Sequence, residues 1–247
     1  MKRLIPLLLT LVLLCYAFDA AQAESPKLVN LLDAQPGDLV TFGHYAQDDW
    51  TSSQGAQPAI EWVVLDRSPN GQLLLLSYKA IAVHNYHKWP QKLVRTTTSV
   101  VWADSYLREW LNSTFMNRAF TQREQNMMLA TEVPGEKNPF YPRTAGGRSV
   151  KDKVWILSAS EYERYVQGTP WSVTCLTADA HKALTSDSSA QYQRGLSECW
   201  WWLRNPGSDN TRAQIVSFDG KISESGHMPV TTWHGGVRPV ICVNLGR

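Results

Sequence analysis

The sequence predicts a mixed α/β (α+β) fold with a mainly antiparallel, twisted β-sheet, a few short helices and long loops. Three observations support this class. The stretch C-W-W-W-L-R at 199–204 runs directly into Asn-Pro-Gly, as a buried strand runs into a turn. Several apolar runs of strand length are joined by short turn sequences. Helical periodicity is confined to short segments.

The tryptophan stretch predicts the central strand of the fold. Strand alternation divides it into two faces, one with Cys199, Trp201 and Leu203 and the other with Trp200, Trp202 and Arg204. Neither face carries a polar residue until Arg204 at the end of the stretch. We therefore expect the strand to be covered on both sides and to lie inside its sheet. Trp201 is therefore predicted to be a core residue.

Two β-hairpins follow from turn chemistry. The runs at 60–65 and 73–78 are separated by Ser-Pro-Asn-Gly, and those at 213–218 and 221–225 by Asp-Gly. Asp-Gly supplies the positive φ angles that a two-residue turn requires. The last strand is predicted over 237–245, with Pro239 near its start, where a missing N–H donor is tolerated.

The helices are predicted to be short. One helical side is formed by Trp102, Leu107, Trp110 and Leu111. Capping boxes, T-x-x-E at 121–124 and S-x-x-E at 158–161, begin two more helices. The segments 80–94 and 168–195 are predicted to be irregular, and 133–153 to be a long surface insertion.

The N-terminus has the pattern of a cleaved signal peptide. Lys2 and Arg3 precede an apolar run at 4–18, and Ala-Gln-Ala at 21–23 is a small-x-small cleavage site. We expect residues 1–23 to be removed and 24–247 to form a single domain in the periplasm or outside the cell. A membrane anchor is the disfavoured alternative, since the run is short for a span and no stop-transfer charges follow it.

Net charge and composition limit the classes of binding partner that we expect. The 247-residue chain has 24 Lys and Arg, 22 Asp and Glu, and a net charge of +2. Loss of two bases and one acid with the signal peptide leaves +1, which gives no electrostatic reason to expect nucleic acid. Eleven Trp and nine Tyr indicate an aromatic core, aromatic surfaces, or both.

The cysteines fit an oxidising compartment. Cys15 lies in the signal peptide, which leaves Cys175, Cys199 and Cys242. A Cys175–Cys199 disulfide is our first expectation, because Cys175 lies in a polar region that would gain from tethering. Three buried thiols that pack as small apolar groups are the alternative.

Five pieces in order resemble an uncharacterised bacterial domain, the domain of unknown function family 6273. They are G-D-L-V-T-F-G-H-Y at 37–45, I-E-W-V-V-L-D at 60–66, L-R-E-W-L-N at 107–112, W-L-R-N-P-G at 202–207 and G-V-R-P-V at 236–240. The last two also resemble the closing strands of C-type-lectin-like domains, the fold of formylglycine-generating enzymes. The resemblance implies a C-type-lectin-like fold and no activity.

No catalytic or metal motif accompanies this resemblance. The three remaining cysteines do not match the catalytic pair of formylglycine-generating enzymes, and the calcium-binding triplets of true lectins are absent. His84 and His87 have the spacing of zinc ligands on a helix, but no third ligand is evident. We therefore expect no catalytic residue, no metal and no cofactor.

A ligand-binding surface is predicted near the closing strands. Its candidate residues are Trp202, Arg204, Asp209, Asn210, Trp233, His234 and Arg238. Trp233 is expected to be exposed in a loop that Gly235 and Gly236 make flexible. The alternative for the two arginines is structural: each binds a loop carbonyl or pairs with Asp209 or Asp219.

These observations favour a non-catalytic recognition domain that binds a carbohydrate or a protein at the cell envelope. An exported hydrolase or redox enzyme on the same scaffold is the second reading, and a structural envelope protein is the third. After signal cleavage no further apolar stretch is long enough to span a membrane. The oligomeric state is left open.

Overall fold

The computed structural model describes residues 26–46, 57–88, 100–185, 198–209 and 211–246. The predicted signal peptide at 1–23 and the candidate Asn210 lie outside these ranges. Within them no helix is long and apolar enough to cross a membrane.

Strands make up most of the regular structure in the described part of the chain. In chain order they are β1 (Leu39–His44), β2 (Ala59–Arg67), β3 (Gln72–Ser77), β4 (Ala82–Val83), β5 (Thr131–Val133), β6 (Val150–Asp152), β7 (Val154–Trp155), β8 (Trp201–Pro206), β9 (Ala213–Val216), β10 (Ile222–Ser223), β11 (Gly236–Val237) and β12 (Val240–Asn244).

The strands form two five-stranded sheets and one ribbon. The first sheet has the order β1-β2-β3-β12-β7 and is antiparallel throughout. The second has the order β10-β9-β8-β11-β4, in which only β8 and β11 are parallel. The ribbon pairs β5 with β6. The prediction of a mixed, mainly antiparallel fold with short helices is confirmed at this level.

Strand β8 is the middle strand of the second sheet, as the tryptophan stretch predicts. All six of its residues are buried, and Trp201 and Trp202 are fully buried. The strand begins at Trp201 rather than at Cys199, which instead forms an isolated bridge with Thr174. Both predicted hairpins are confirmed as β2–β3 and β9–β10. Gly220 takes a positive φ in the second turn.

The helices are short and have defined caps. They are α1 (Tyr106–Trp110), α2 (Met116–Ala119), α3 (Gln122–Met127), α4 (Ala159–Tyr165) and α5 (Ala178–Thr185). A π-helical turn, Leu111–Phe115, joins α1 to α2, and 3₁₀ turns lie at Trp102–Asp104 and Pro170–Ser172. Both capping boxes, at Thr121 and Ser158, are confirmed.

The predicted last strand is divided in two. Strand β11 belongs to the second sheet and β12 to the first, so the chain passes between sheets at Arg238 and Pro239. Proline has no N–H for a ladder, which explains the break at this point. The Pro239 carbonyl still accepts a hydrogen bond from Ser77 N at 2.9 Å.

Three predictions of irregular structure were wrong in part. Helix α5 lies in the segment 168–195, and β4 lies in 80–94. The insertion 133–153 begins at the end of β5 and contains all of β6, so its two ends are paired. Each of these elements is short, and contacts with distant residues stabilise it more than local propensity does.

Candidate functional site

Arg204, a candidate binding residue, is buried in an ion-pair network. Its side chain is 1% exposed and contacts both carboxylate oxygens of Glu161. Glu136 accepts a further bond at 3.0 Å, and the Ile156 carbonyl accepts one at 3.1 Å. The structural alternative therefore describes Arg204, although its partners are these glutamates rather than Asp209.

Arg238 is fully buried and has only carbonyl partners. It donates to the carbonyls of Ser77 at 3.0 Å, Trp171 at 2.8 Å and Tyr78 at 3.1 Å. Its guanidinium lies 4.8 Å from the centre of the Trp201 ring. Burial lowers the pKa of Arg238 to about 10, so it stays a cation at neutral pH. Its visible role is to join three chain segments.

The candidate aromatic residues are buried or half-buried. Trp202 is fully buried and its indole N–H donates to the His84 carbonyl at 2.8 Å. His234 is 7% exposed and lies against the rings of Trp200 and Trp233. Trp233 is half-buried and packs on a small apolar cluster of Ala80, Val83, Leu176, Ala180, Leu184 and Cys199. Trp233 lies in a loop, as predicted, but the prediction that it is exposed is wrong.

The two glycines before β11 are required by packing rather than by flexibility. A Cβ on Gly235 would overlap the indole of Trp202, and one on Gly236 would lie 2.6 Å from the Trp200 carbonyl. The connector therefore packs closely against the tryptophan strand.

Asp209 is exposed, and its carboxylate is hydrogen-bonded within its own turn. Its carboxylate accepts hydrogen bonds from the backbone N–H and the hydroxyl of Thr211 at 2.8 and 2.6 Å. Partial burial alone would raise its pKa, but these bonds and nearby Arg212 outweigh that effect and lower it. Asp209 therefore binds its own turn.

The cysteines are free thiols in the structure. Cys199 is buried, and Cys175 and Cys242 are half-buried. The predicted Cys175–Cys199 disulfide is not formed. The alternative of three buried thiols describes Cys199, whereas Cys175 and Cys242 are free but half-buried. Burial raises the pKa of Cys199, so its thiol is neutral.

Neighbouring aromatic rings form a row that includes Tyr106 and Trp110 of α1. The centre of the Trp110 ring lies 5.5 Å from that of Phe115 and 4.6 Å from that of His84. Tyr106 follows His84 at 5.0 Å, and the Lys88 ammonium lies 3.7 Å from the Tyr106 ring centre. We call the rings of Phe115, Trp110, His84 and Tyr106 the ring column. No three His, Cys, Asp or Glu residues gather to hold a metal in the described ranges.

Beside the ring column lies a cleft of about 210 Å³, which we call the charged cleft. Its lining residues are Tyr45, Pro58, Ala59, Ile60, Glu61, Lys79, Ile81, Thr177, Ala178 and Asp179. Tyr45 connects the two features, since its ring also packs edge-on against Trp110 at 6.4 Å. The walls are largely apolar, and the remaining residues bring polar groups to one small space.

The three charged residues of the charged cleft have no partners among the residues that the structure describes. Glu61, Lys79 and Asp179 make no side-chain hydrogen bond or ion pair there. By contrast, Arg204, whose side chain is 1% exposed, has two carboxylate partners. Unpaired charges that converge on a concave surface are available to a ligand.

Regular structure holds these charges in place. Ile60 and Glu61 are successive residues of β2, so one side chain is buried and the next is exposed. Ala80 bonds to Cys175 O and Thr177 N bonds to Ala80 O, both at 3.0 Å, which joins the Lys79 segment to the start of α5. The charged cleft therefore lies where β2, the end of β3 and α5 meet.

Comparison with known protein families gives one match. The profile described as Domain of unknown function (DUF6273) matches residues 70–245. The chain belongs to this family. No curated protein and no solved structure matches the chain.

The DUF6273 match covers only one wall of the charged cleft. Lys79, Thr177 and Asp179 lie inside the matched residues, whereas Tyr45 and Glu61 precede them. Sequence reasoning missed all five of these residues. Glu61 gave the only usable signal, as a charge between apolar neighbours in β2. The others come from distant segments, and no spacing rule brings them together.

Proposed function

We propose that this protein is a non-catalytic recognition domain of the cell envelope, and that its charged cleft binds one sugar unit of an envelope carbohydrate. The observation that supports this most strongly is the convergence of Glu61, Lys79 and Asp179 without partners in the described chain. Export by the predicted signal peptide is part of the proposal.

The size of the charged cleft favours a small ligand. Its volume of about 210 Å³ lies below the roughly 300–1,000 Å³ of pockets for drug-sized molecules. A single sugar ring, or the end of a longer chain, suits this space. A longer oligosaccharide would continue over the surface outside the cleft.

The chemistry of the lining favours a sugar over a purely apolar or purely ionic ligand. Carboxylates at Glu61 and Asp179 accept hydrogen bonds from hydroxyl groups, and Lys79 donates. Tyr45, Ile60 and Ile81 supply apolar surface for the carbon face of a ring. A sugar has hydroxyl groups, which both donate and accept hydrogen bonds, and an apolar carbon face. The charged cleft offers donors, acceptors and an apolar wall.

A C-type-lectin-like scaffold forms part of the proposal. Strand β8 lies between β9 and β11 in one sheet, in agreement with the closing strands of such domains. The antiparallel pairing of β8 with β9 supports the same arrangement.

An array of bacterial envelope oligosaccharides, probed with the purified full chain, tests the proposal. We expect binding to a small group of neutral sugars, confirmed by isothermal titration calorimetry. Glu61→Gln, Lys79→Met and Asp179→Asn should each weaken binding about tenfold, as for loss of one hydrogen bond to a charged group. Each variant should keep its stability within about 0.5 kcal/mol.

Glu163→Gln is the matched control, because Glu163 is an exposed carboxylate outside the charged cleft. Its affinity should equal that of the wild type. Absence of any binder on the array, or binding that survives all three cleft substitutions, would overturn the proposal. Cleavage of the bound oligosaccharide would instead support the hydrolase reading, with Glu61 and Asp179 as the carboxylates.

A further inference from the structure

The loop between β5 and β6 presents two exposed aromatic side chains. Phe140 is 47% exposed and Tyr141 is 38% exposed. Exposed aromatic side chains on a defined surface are typical of protein-binding sites. Both lie in the insertion that the sequence predicts, and neither lines the charged cleft.

This loop is held in one conformation by buried contacts. Asn138 is fully buried and donates through Nδ2 to the carbonyls of Pro206 at 2.9 Å and Glu224 at 2.7 Å. Its Oδ1 accepts from Phe140 N at 2.9 Å. At the loop base, a Cβ on Gly146 would overlap the Glu136 backbone, so the two ends approach as only glycine allows. These bonds position the backbone at Phe140, which reduces the ordering that binding requires.

Phe140 forms one wall of a second cleft of about 420 Å³, which we call the loop cleft. The other lining residues are Tyr162, Glu163, Gln167, Gly168, Ser172, Asp219, Gly220, Lys221, Ile222 and Glu224. Tyr162 closes its base by donating a hydrogen bond to the Gly220 carbonyl. The loop cleft thus lies between the long loop, α4 and the β9–β10 turn.

The loop cleft is acidic. Glu163, Asp219 and Glu224 contribute three negative charges and Lys221 one positive charge, which gives a net charge of minus two. Lys221 lies 3.4 Å from Asp219 and offsets it. Glu163 and Glu224 have no side-chain partner in the described ranges. An approaching ligand therefore meets an apolar ring beside two unpaired carboxylates.

We propose that the loop cleft is a docking site for a peptide segment of a partner protein that carries a basic side chain next to an apolar one. The apolar side chain packs on Phe140, and the basic side chain pairs with Glu163 and Glu224. Charge complementarity selects a basic segment over an acidic one. This proposal is independent of sugar binding in the charged cleft.

Fluorescence anisotropy with four matched synthetic peptides tests the proposal. The peptides combine Arg or Glu at one position with Leu or Ser at the next. With the full chain, we expect the Arg-Leu peptide to bind most tightly and the Glu-Leu peptide not to bind. Phe140→Ala and the pair Glu163→Gln with Glu224→Gln should each weaken Arg-Leu binding about tenfold, as for interface residues that dominate binding energy.

Leu28→Ala is the matched control, because Leu28 is exposed to 57% and lies in neither cleft. It should leave peptide affinity unchanged, and circular dichroism should show that every variant folds. Equal binding of all four peptides, or full affinity of the Phe140→Ala variant, would overturn the proposal. Self-association in sedimentation that Phe140→Ala abolishes would also overturn it, since a second copy would then occupy the loop cleft.

Discussion

The charged side chains around the tryptophan strand β8 have partners within the protein, whereas those of the charged cleft have none in the described ranges. Around β8, Arg204 has Glu136 and Glu161 as partners, and Arg238 has three backbone carbonyls. In the charged cleft, the three charged side chains have no partner within the described structure. A buried charge must be satisfied by the protein itself, whereas a charge in an open cleft is available to a ligand.

The comparison shows why a tryptophan and arginine signature is a poor guide to a binding site. The same residue types that form ligand platforms also form cores, and sequence alone does not separate the two uses. Here the tryptophans of β8 are fully buried and its arginine is neutralised. Substitutions should therefore affect stability near β8 and binding in the charged cleft.

The largest expected effect is loss of the core packing around Trp201. Trp201→Ala should lower the free energy of unfolding by about 3–5 kcal/mol, the range for large aromatic truncations in cores. Urea denaturation measures it. Phe140→Ala, at an exposed site, should change the same quantity by less than about 0.5 kcal/mol. A small loss at Trp201 would remove the distinction between core and surface.

The second-largest expected loss in the free energy of unfolding comes from removing the ion pairs of Arg204. Arg204→Met should cost about 3 kcal/mol, at the lower end for removal of one partner from a buried pair, since the two glutamates are 26% exposed. The control is Arg148→Met, whose pair with Asp104 is 63% and 60% exposed and should contribute under about 1 kcal/mol. Equal costs for the two variants would show that burial does not govern these pairs.

A smaller effect on the free energy of unfolding, dependent on pH, should come from His84 and His87. Burial lowers the pKa of His84, with Lys88 adding to the effect, and burial lowers that of His87 despite Asp104. Between the folded pKa and the unfolded value of 6.5, the unfolded chain binds more protons. Stability should therefore fall as the pH drops below 6.5.

We expect His84→Gln to make this decline shallower by at most about 1.4 kcal/mol per pH unit, the limit for removal of one proton-binding site. Denaturant melts between pH 7 and pH 5 measure it. The ring column links His84 through Trp110 to Tyr45 of the charged cleft. An unchanged decline in this variant would show that His84 does not titrate in this range.

The sequence predicts the strands with strong local signals and misses those stabilised by distant contacts. Turn chemistry located both hairpins, and S-x-x-E located the start of α4. The burial of β8 followed from its uninterrupted apolar character. Helix α5 was missed, because its stability depends on packing of Ala180 and Leu184 against a cluster from other segments.

The candidate site was harder to predict than the fold. Arg204 is paired with Glu136 and Glu161, which lie 68 and 43 residues away along the chain. No local pattern indicates such partners, so a buried structural arginine and a binding arginine have the same appearance in sequence. The charged cleft likewise combines residues from four separate segments.

The most direct test is an NMR titration of isotope-labelled full-length protein with the oligosaccharide that binds best on the array. We predict that the largest amide shifts occur at Glu61, Lys79 and Thr177, which line the charged cleft. Amides of the tryptophan strand should change little. Shifts concentrated at Trp202, Arg204 and Trp233, with none around Glu61, would contradict the account and place the ligand at the closing strands.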